Sequence, residues 1–454
     1  MSPDPNSLGI LQQWGVCYSG GGLPDFSALV FRLSVPPASM SDPQAHASEI
    51  AASPMPEQVG RPPAVLQVLP ALVTGGVERG TVDMARALVQ AGWKSYVASA
   101  GGPMVRELER AGAQHFTLPL ETKNPFKMRS NIDRLEALIR DLPVDLVHAR
   151  SRAPAWSARA AARRCSLPFV TTFHNAYKAD NWFRKLWASQ MARGDRVIAI
   201  SKFVAEHAHG RFGVPWARLT VIPRGVDLAK FDPTRVSPER ITLLSNSWRL
   251  VDGLPVILLP GRLTRWKGHT VFLKALAELA DLRGARDFIG VVVGDHKGHE
   301  AYRDELYRLA ANLGLEGSLR LPGLCRDMAA AMMLADTVVS ASTEPEGFGR
   351  VAAEAQAMGR PVVATDHGGA RETVLPGQTG WLVPPGNAKA LAEALNVAIS
   401  LPPAQRAAMD AAARANVAAH FTVNAMTDAT LKIYTDLLFP PEGPMPGQPA
   451  GEGF

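Results

Sequence analysis

Two carboxylates frame a glycine-rich loop in the stretch from Ser342 to Gly359, S-T-E-P-E-G-F-G-R-V-A-A-E-A-Q-A-M-G. Glu346 precedes Gly347-Phe348-Gly349, and Glu354 follows it. Thr337 to Ala341 reads as a short buried strand, and Val351 to Met358 as a helix closed by Gly359. The loop would then run from a strand's carboxyl end into a helix N-terminus, where free backbone N–H groups and partial positive charge suit a phosphate or a polarised sugar oxygen. Gly347 and Gly349 allow the backbone to approach a ligand closely. Taken alone, the stretch reads equally as a glycine turn carrying two solvated glutamates.

A second loop adds the opposite charge. Gly261-Arg262-Leu263-Thr264-Arg265-Trp266-Lys267-Gly268 follows a predicted strand, Val256 to Leu259, and leads into a helix. Arg262 offers a bidentate fork and Lys267 a point charge, which together suit a diphosphate better than a merely solvated basic loop. Gly75-Gly76 also lies between strand and helix, where its backbone could reach a diphosphate or a sugar; a GG turn is a weak signal by itself. His174 ends a strand and has two open readings, a structural imidazole or a group touching the reacting sugar. His148, Arg150 and Arg152 follow another strand end and could bind an acidic group on an acceptor. Gly294-Asp295 and Gly323-Leu324-Cys325 could line a base pocket. Glu372 is either a further site carboxylate or a helix-start glutamate.

Other chemistries fit poorly. There is no Asp-x-Asp, His-x-x-x-His or cysteine pair for a metal. Glu346 on a loop and Glu354 within a helix do not flank an open groove as a glycosidase pair would.

The elements needed to hold these residues alternate along the chain. Strands are expected at 64–69, 96–99, 115–118, 145–148, 169–173, 197–200 and 219–222, with helices between them. A linker is expected over Asp232–Pro255. A second alternating set starts at Val256, with strands at 290–293, 319–321, 337–341, 361–364 and 380–383. The pattern is that of two doubly wound parallel-sheet, Rossmann-like domains facing across a cleft, with ligands at the strands' carboxyl ends. The expected bounds are a disordered extension over 1–60, a first domain over 61–235, a second over 236–424, a final helix over 425–439 and a disordered tail over 440–454.

The 454 residues suffice for two or three cores, and no apolar run is long enough to span a membrane. Three scattered cysteines and no signal peptide suit the cytosol. Charge is uneven. Pro62–Arg235 holds 26 Lys+Arg against 14 Asp+Glu, and Val236–Phe439 holds 20 against 21. A basic half suits an anionic membrane or glycolipid; with no zinc-finger, RRM or continuous basic helix, nucleic acid is the weakest partner. Asn181–Arg193 interleaves Trp182, Phe183, Leu186 and Trp187 with Arg184 and Lys185, which fits either a helix on an anionic bilayer or a core-packed helix with a basic outer face.

These residues carry a resemblance. Gly75-Gly-Val-Glu-Arg79, His174, Val221-Ile-Pro-Arg-Gly-Val-Asp227, Arg262…Lys267-Gly268, Glu346-x₇-Glu354, Gly369-Ala-Arg-Glu372 and Gly377-x-Thr-Gly-Trp-Leu382 resemble the retaining glycosyltransferases of family four, the group 1 set with the GT-B fold. The resemblance covers about Ala64 to Leu438. It implies a metal-independent enzyme with no cofactor beyond its nucleoside diphosphate sugar donor. Arg262 and Lys267 would hold the diphosphate, Glu346 the donor sugar's hydroxyls and Glu354 the ribose. Phe348 and Gly349 would present N–H groups, and His174 would meet the sugar near the reacting centre. The final helix would cross back to the first domain. Gly294-Asp-His-Lys297 and His148-Ala-Arg150 depart from the family's usual Gly-Asp-Gly-Pro and His-x-His, which bears on the base contact and the acceptor. The expected acceptor is a glycolipid or cell-surface glycan, such as a lipopolysaccharide core, met at the inner face of the cytoplasmic membrane. The rivals are a sugar-nucleotide epimerase of the same fold and a non-catalytic nucleotide-sugar-binding protein.

Overall fold

A computed structural model of the chain describes residues 60–73, 75–177 and 182–440. Apart from Gly60 and Pro440, the extension and tail read from the sequence lie outside these residues, as do Thr74 and Asn181.

The first lobe alternates strand and helix: β1 (Ala64–Val68), α1 (Gly76–Gln90), β2 (Lys94–Ser99), α2 (Val105–Arg110), β3 (Gln114–Thr117), α3 (Pro125–Asp141), β4 (Leu146–Ala149), α4 (Arg152–Arg164), β5 (Phe169–Phe173), α5 (Trp182–Ser189), β6 (Arg196–Ala199), α6 (Lys202–Phe212) and β7 (Leu219–Val221). After α7 (Pro238–Trp248) the second lobe repeats the pattern with β8 (Val256–Pro260), α8 (His269–Arg283), β9 (Ile289–Val293), α9 (Glu300–Asn312), β10 (Leu319–Gly323), α10 (Met328–Leu334), β11 (Thr337–Ser340), α11 (Arg350–Ala357), β12 (Val362–Thr365), α12 (Ala370–Thr373) and β13 (Gly380–Val383). Three helices close the chain: α13 (Ala388–Ile399), α14 (Pro403–His420) and α15 (Val423–Leu438).

The strands form a seven-stranded sheet ordered β3-β2-β1-β4-β5-β6-β7 and a six-stranded sheet ordered β10-β9-β8-β11-β12-β13, with parallel pairing throughout. Strands such as β1 (AVLQV) and β8 (VILLP) are buried at every position, as expected where helices cover both faces. Each sheet reverses its winding once, between β1 and β4 and between β8 and β11. Ligands of such sheets bind in the crevice where the winding reverses.

Three local departures have physical reasons. The expected linker contains α7, which Ser237 caps and Pro238 begins; Arg240 of this helix pairs with Asp327 at 2.6 Å, beside α10. α3 starts at Pro125, ahead of its apolar face, because the Asn124 side chain accepts from the N–H groups of Phe126 and Lys127. α15 starts at Val423 because Thr422 accepts from Ala425 N at 3.0 Å.

One apolar cluster runs from Phe173, Ile200 and Val204 of the first lobe to Phe348 and Ala352 of the second. α15 lies against the first lobe, where Ile433 and Tyr434 are buried with Val65, Met84 and Leu88. Among the described residues no helix is long and apolar enough to cross a membrane.

Candidate functional site

At the second sheet's reversal, the loops after β8 and β11 meet. Gly261 N donates to Val293 O at 2.8 Å and Leu263 N to Asp295 O at 3.1 Å, fixing the start of the β8 loop on its neighbour. The loop ends in a short helical turn, Arg265–Lys267, and at Gly268, whose φ of 74° and contact with the Ala341 carbonyl leave no room for a side chain. Thr343 N donates to Trp266 O at 2.7 Å, tying the two loops together.

The geometry brings Lys267 and Glu346 into an ion pair at 2.8 Å, with both side chains only 16% exposed. Glu346 Oε1 also accepts from the Ser342 hydroxyl, and the Lys267 ammonium stands 4.5 Å from the centre of the Trp266 ring. Burial pushes the Glu346 carboxyl up, but the Lys267 charge and the hydroxyl donors outweigh it and hold the group below its ordinary value. Arg262 is exposed and, among the described residues, makes no ion pair, whereas Arg265 is engaged by Glu305 at 2.5 Å.

Glu354 is buried on the first turns of α11, and Arg350 on the same helix face holds its carboxylate at 2.6 Å. α11 opens at Gly349, with φ of 82°. Among the described residues, the N–H groups of Phe348, Gly349, Arg350 and Val351 donate to no backbone acceptor. They form an unsatisfied helix N-terminus at the reversal point.

Gly347 brings the other lobe into this site. A Cβ there would stand 2.7 Å from the His174 carbonyl and 3.2 Å from Asn175 Cα, so the β11 loop abuts the end of β5 only because residue 347 has no side chain. The His174 Nε2 is buried and has no hydrogen-bond partner among the described residues. Burial, then the charges of Arg224 and Arg150, hold its pKa well below 6.5, so the imidazole is neutral near pH 7. Gly75 and Gly76 open α1 at the first sheet's reversal, and the Gly76 carbonyl accepts from Arg224.

Other sequence-predicted residues lie elsewhere or do something else. Gly323 ends β10 and Leu324 is 62% exposed, two strands from β8 on the side away from Glu346; a Cβ on Gly323 would stand 3.7 Å from the His296 ring. His148 is not a ligand group: it lies within β4, fully buried, and its ring nitrogens are taken by the Tyr434 hydroxyl and by Thr172 Oγ1 at 2.8 Å. It ties α15 to the first sheet. Arg152 lies over the Tyr177 ring at 4.3 Å, and Arg150 is 4% exposed beside Tyr434 and Asp83. The Glu372 carboxylate accepts from Lys202 N at 2.8 Å and Phe203 N at 2.9 Å, so it caps α6 of the other lobe. Sequence reasoning assigns no role to Arg224, Arg350 or His269. Arg224 lies three residues after β7, within the Val221–Asp227 motif, and Arg350 is one helical turn from Glu354; those positions are the available signals.

A family model described as Glycosyltransferase Family 4 matches residues 74–230, and one described as Glycosyl transferases group 1 matches residues 241–416. The chain is 28% identical over 365 residues to the D-inositol 3-phosphate glycosyltransferase of Pseudarthrobacter chlorophenolicus, covering 75% of this chain and 85% of that protein. It is 32% identical over 314 residues to the D-inositol 3-phosphate glycosyltransferase of Kineococcus radiotolerans, covering 64% of this chain and 71% of that protein. Among solved structures it is similar to a glycosyltransferase from Rickettsia africae ESF-5, at 38% identity and a TM-score of 0.77 over 84% of this chain and 99% of that one. It is also similar to Anabaena HepE in complex with UDP, at 26% identity and a TM-score of 0.70 over 83% of this chain and 100% of that one.

Proposed function

The chain belongs to glycosyltransferase family 4, the group 1 enzymes with the GT-B fold, and from that premise we propose that it moves a sugar, with retention and without a metal ion, from a nucleoside diphosphate sugar to an acceptor hydroxyl. The observation that carries this reading is the Lys267–Glu346 pair at 2.8 Å beside the open N-terminus of α11, facing His174 across Gly347.

In this reading Arg262 and Lys267 stabilise the charge that develops on the departing diphosphate, and the N–H groups of Phe348 and Gly349 add fixed dipoles. Glu346 orients the sugar's hydroxyls and Glu354 the ribose, each giving up its present cation as the donor enters. A neutral His174 contacts the sugar through hydrogen bonding and brings no charge of its own. The departing phosphate takes the acceptor's proton on the same face, so the sugar keeps its configuration and no separate general base is needed. The epimerase and non-catalytic alternatives find less support. Arg262, Lys267, Glu346 and Glu354 are all present, and the curated relatives are named for glycosyl transfer.

A screen of nucleoside diphosphate sugars by thermal shift tests the reading. At about a hundredfold excess over Kd the matching donor stabilises the fold by about 2.7 kcal/mol, a rise of several degrees. A flat response to uridine, guanosine and adenosine donors alike would overturn it.

For the acceptor we favour a lipid-linked or cell-surface glycan, of the lipopolysaccharide-core kind, met at the cytoplasmic membrane face. The support is the surplus of positive charge over Pro62–Arg235, together with α5, where Trp182 is 65% and Leu186 53% exposed. The names of the curated relatives favour a second reading, a small phosphorylated polyol. Flotation with phosphatidylglycerol vesicles separates them: co-flotation at low salt that is lost at high salt supports the first, and no flotation at low salt leaves the second.

A further inference from the structure

Two guanidinium groups from opposite lobes converge on Gly76. Arg224, in the turn after β7, is 5% exposed, lies flat against Gly80 in the first turns of α1, and donates to the Gly76 carbonyl. Arg350, the first residue of α11, has its Nη1 3.4 Å from where a Cβ on Gly76 would stand. Behind Arg224, Arg150 lines the same small cavity together with Thr172. Among the described residues its Nε is buried without a partner, as is the Nε2 of His174, which feels both arginines.

The buried guanidiniums are poorly partnered. Among the described residues neither Arg150 nor Arg224 makes an ion pair; Arg150 meets the Tyr434 hydroxyl and Arg224 the Gly76 carbonyl, which leaves most of each fork's five N–H donors unused. The carboxylates facing the cluster are Asp83 and Glu78 of α1, and Glu354 is held by Arg350. Asp83 is itself buried, and burial pushes its carboxyl up. Burial, reinforced by the charges of Arg150 and Arg350, holds Arg224 down to about 9. Like charges held together away from water, with unused donors, match an oxyanion.

We propose that Arg224 and Arg350, backed by Arg150, form an oxyanion site that takes a phosphate or carboxylate carried by the acceptor close to the hydroxyl that receives the sugar. This rests on the glycosyl-transfer reading. The cluster lies at the first sheet's reversal, whereas the diphosphate was assigned to Arg262 and Lys267 at the second. Arg350 couples the two sites: ribose hydroxyls that take Glu354 free its guanidinium to close over the acid group. Donor binding therefore completes the acceptor site, which orders the two substrates.

Inorganic phosphate titrated calorimetrically into the full chain, with and without saturating UDP or whichever nucleoside diphosphate raises the melting temperature, tests this. The expected result is phosphate binding at least threefold tighter to the nucleotide-loaded protein. In Arg350→Gln, whose side chain is partly exposed in the wild type, the phosphate Kd of the nucleotide-loaded protein rises at least tenfold, while nucleotide binds no more weakly than to wild type. Arg224→Gln, which removes both the charge and the fork, weakens phosphate in the same direction in free and nucleotide-loaded protein. Phosphate that nucleotide displaces would belong to the donor diphosphate and overturn the inference, as would equal phosphate binding by nucleotide-loaded wild type and Arg350→Gln. Failure of every nucleotide to bind would instead count against the glycosyl-transfer reading, and the comparison of wild type with Arg224→Gln in free protein would still decide whether the oxyanion site exists.

Discussion

The two lobes hold their charges differently. In the second, the cations along the cleft edge are mostly matched: Lys267 to Glu346 at 2.8 Å, Arg350 to Glu354 at 2.6 Å and Arg265 to Glu305 at 2.5 Å, with Arg262 left exposed. In the first, Arg150 and Arg224 are buried deeper, at 4% and 5% exposed, and neither has an ion-pair partner among the described residues. A matched pair suits a ligand that brings its own cation acceptors and hydroxyls, because entry exchanges one partner for another and leaves no charge stranded. An unmatched, desolvated cation suits a ligand that brings the missing negative charge. The second lobe is thus built for exchange and the first for completion.

Removing one member of a matched pair is the strongest way to break this contrast. Lys267→Ala is expected to lower turnover by roughly 10²–10³-fold, as loss of a charge-stabilising donor does, and Arg262→Ala by a similar factor. The two variants should differ in stability. Arg262 is exposed, so its loss leaves the melting temperature nearly unchanged, whereas Lys267→Ala leaves the Glu346 carboxylate buried without its cation and costs about 2–3 kcal/mol. Adding Glu346→Gln to Lys267→Ala should recover most of that stability and none of the turnover. Steady-state rates with the donor found by thermal shift, read beside denaturant melts, check both halves. Near-wild-type turnover in Lys267→Ala would remove the diphosphate assignment.

The same contrast explains what could be read from the residue order. The matched lobe writes its chemistry in contiguous pieces: strand, glycine, cation, helix in Gly261–Gly268, and strand, carboxylate, glycine, helix in Ser342–Gly359. Local periodicity and turn residues suffice to place such pieces. The unmatched lobe assembles its cluster from distant segments. Arg224 meets Gly76 across 148 residues, and His148 meets Tyr434 across 286. No local rule links those pairs; they follow from strand order and from the return of α15. His148 was therefore read as a ligand group when it is a buried tie. Glu372 does sit in the first turn of a helix, as one of its readings had it, yet the helix it caps is α6 in the other lobe. α7 was legible in Ser237-Pro-Glu239 with Ile241, Leu244 and Trp248 on one face, but the broken alternation around it masked the signal.

A smaller effect sharpens the comparison through two buried histidines. In the first lobe His148 has both ring nitrogens bonded. In the second His269, directly after Gly268, is fully buried against the Tyr302 ring at 5.8 Å. Burial, with the Lys267 charge adding to it, lowers His269 to about 4. The folded chain thus keeps this imidazole neutral beneath the cationic loop, while the unfolded chain protonates it near pH 6.5. Between those values the unfolded state binds the extra proton, so the stabilising contribution is complete above about pH 6.5 and is lost as pH falls toward 4. At about 1.4 kcal/mol per pH unit, the contribution reaches about 3 kcal/mol across the window. His269→Leu removes the titrating group at similar volume. The difference in unfolding free energy between wild type and variant, measured by denaturant melts from pH 7 down to 4, should therefore shift steadily in the variant's favour as acid is added, whatever the carboxylates do in both. A difference that stays constant with pH would mean that the imidazole takes up its proton over the same range folded as unfolded, and that burial under the cationic loop does not hold it neutral.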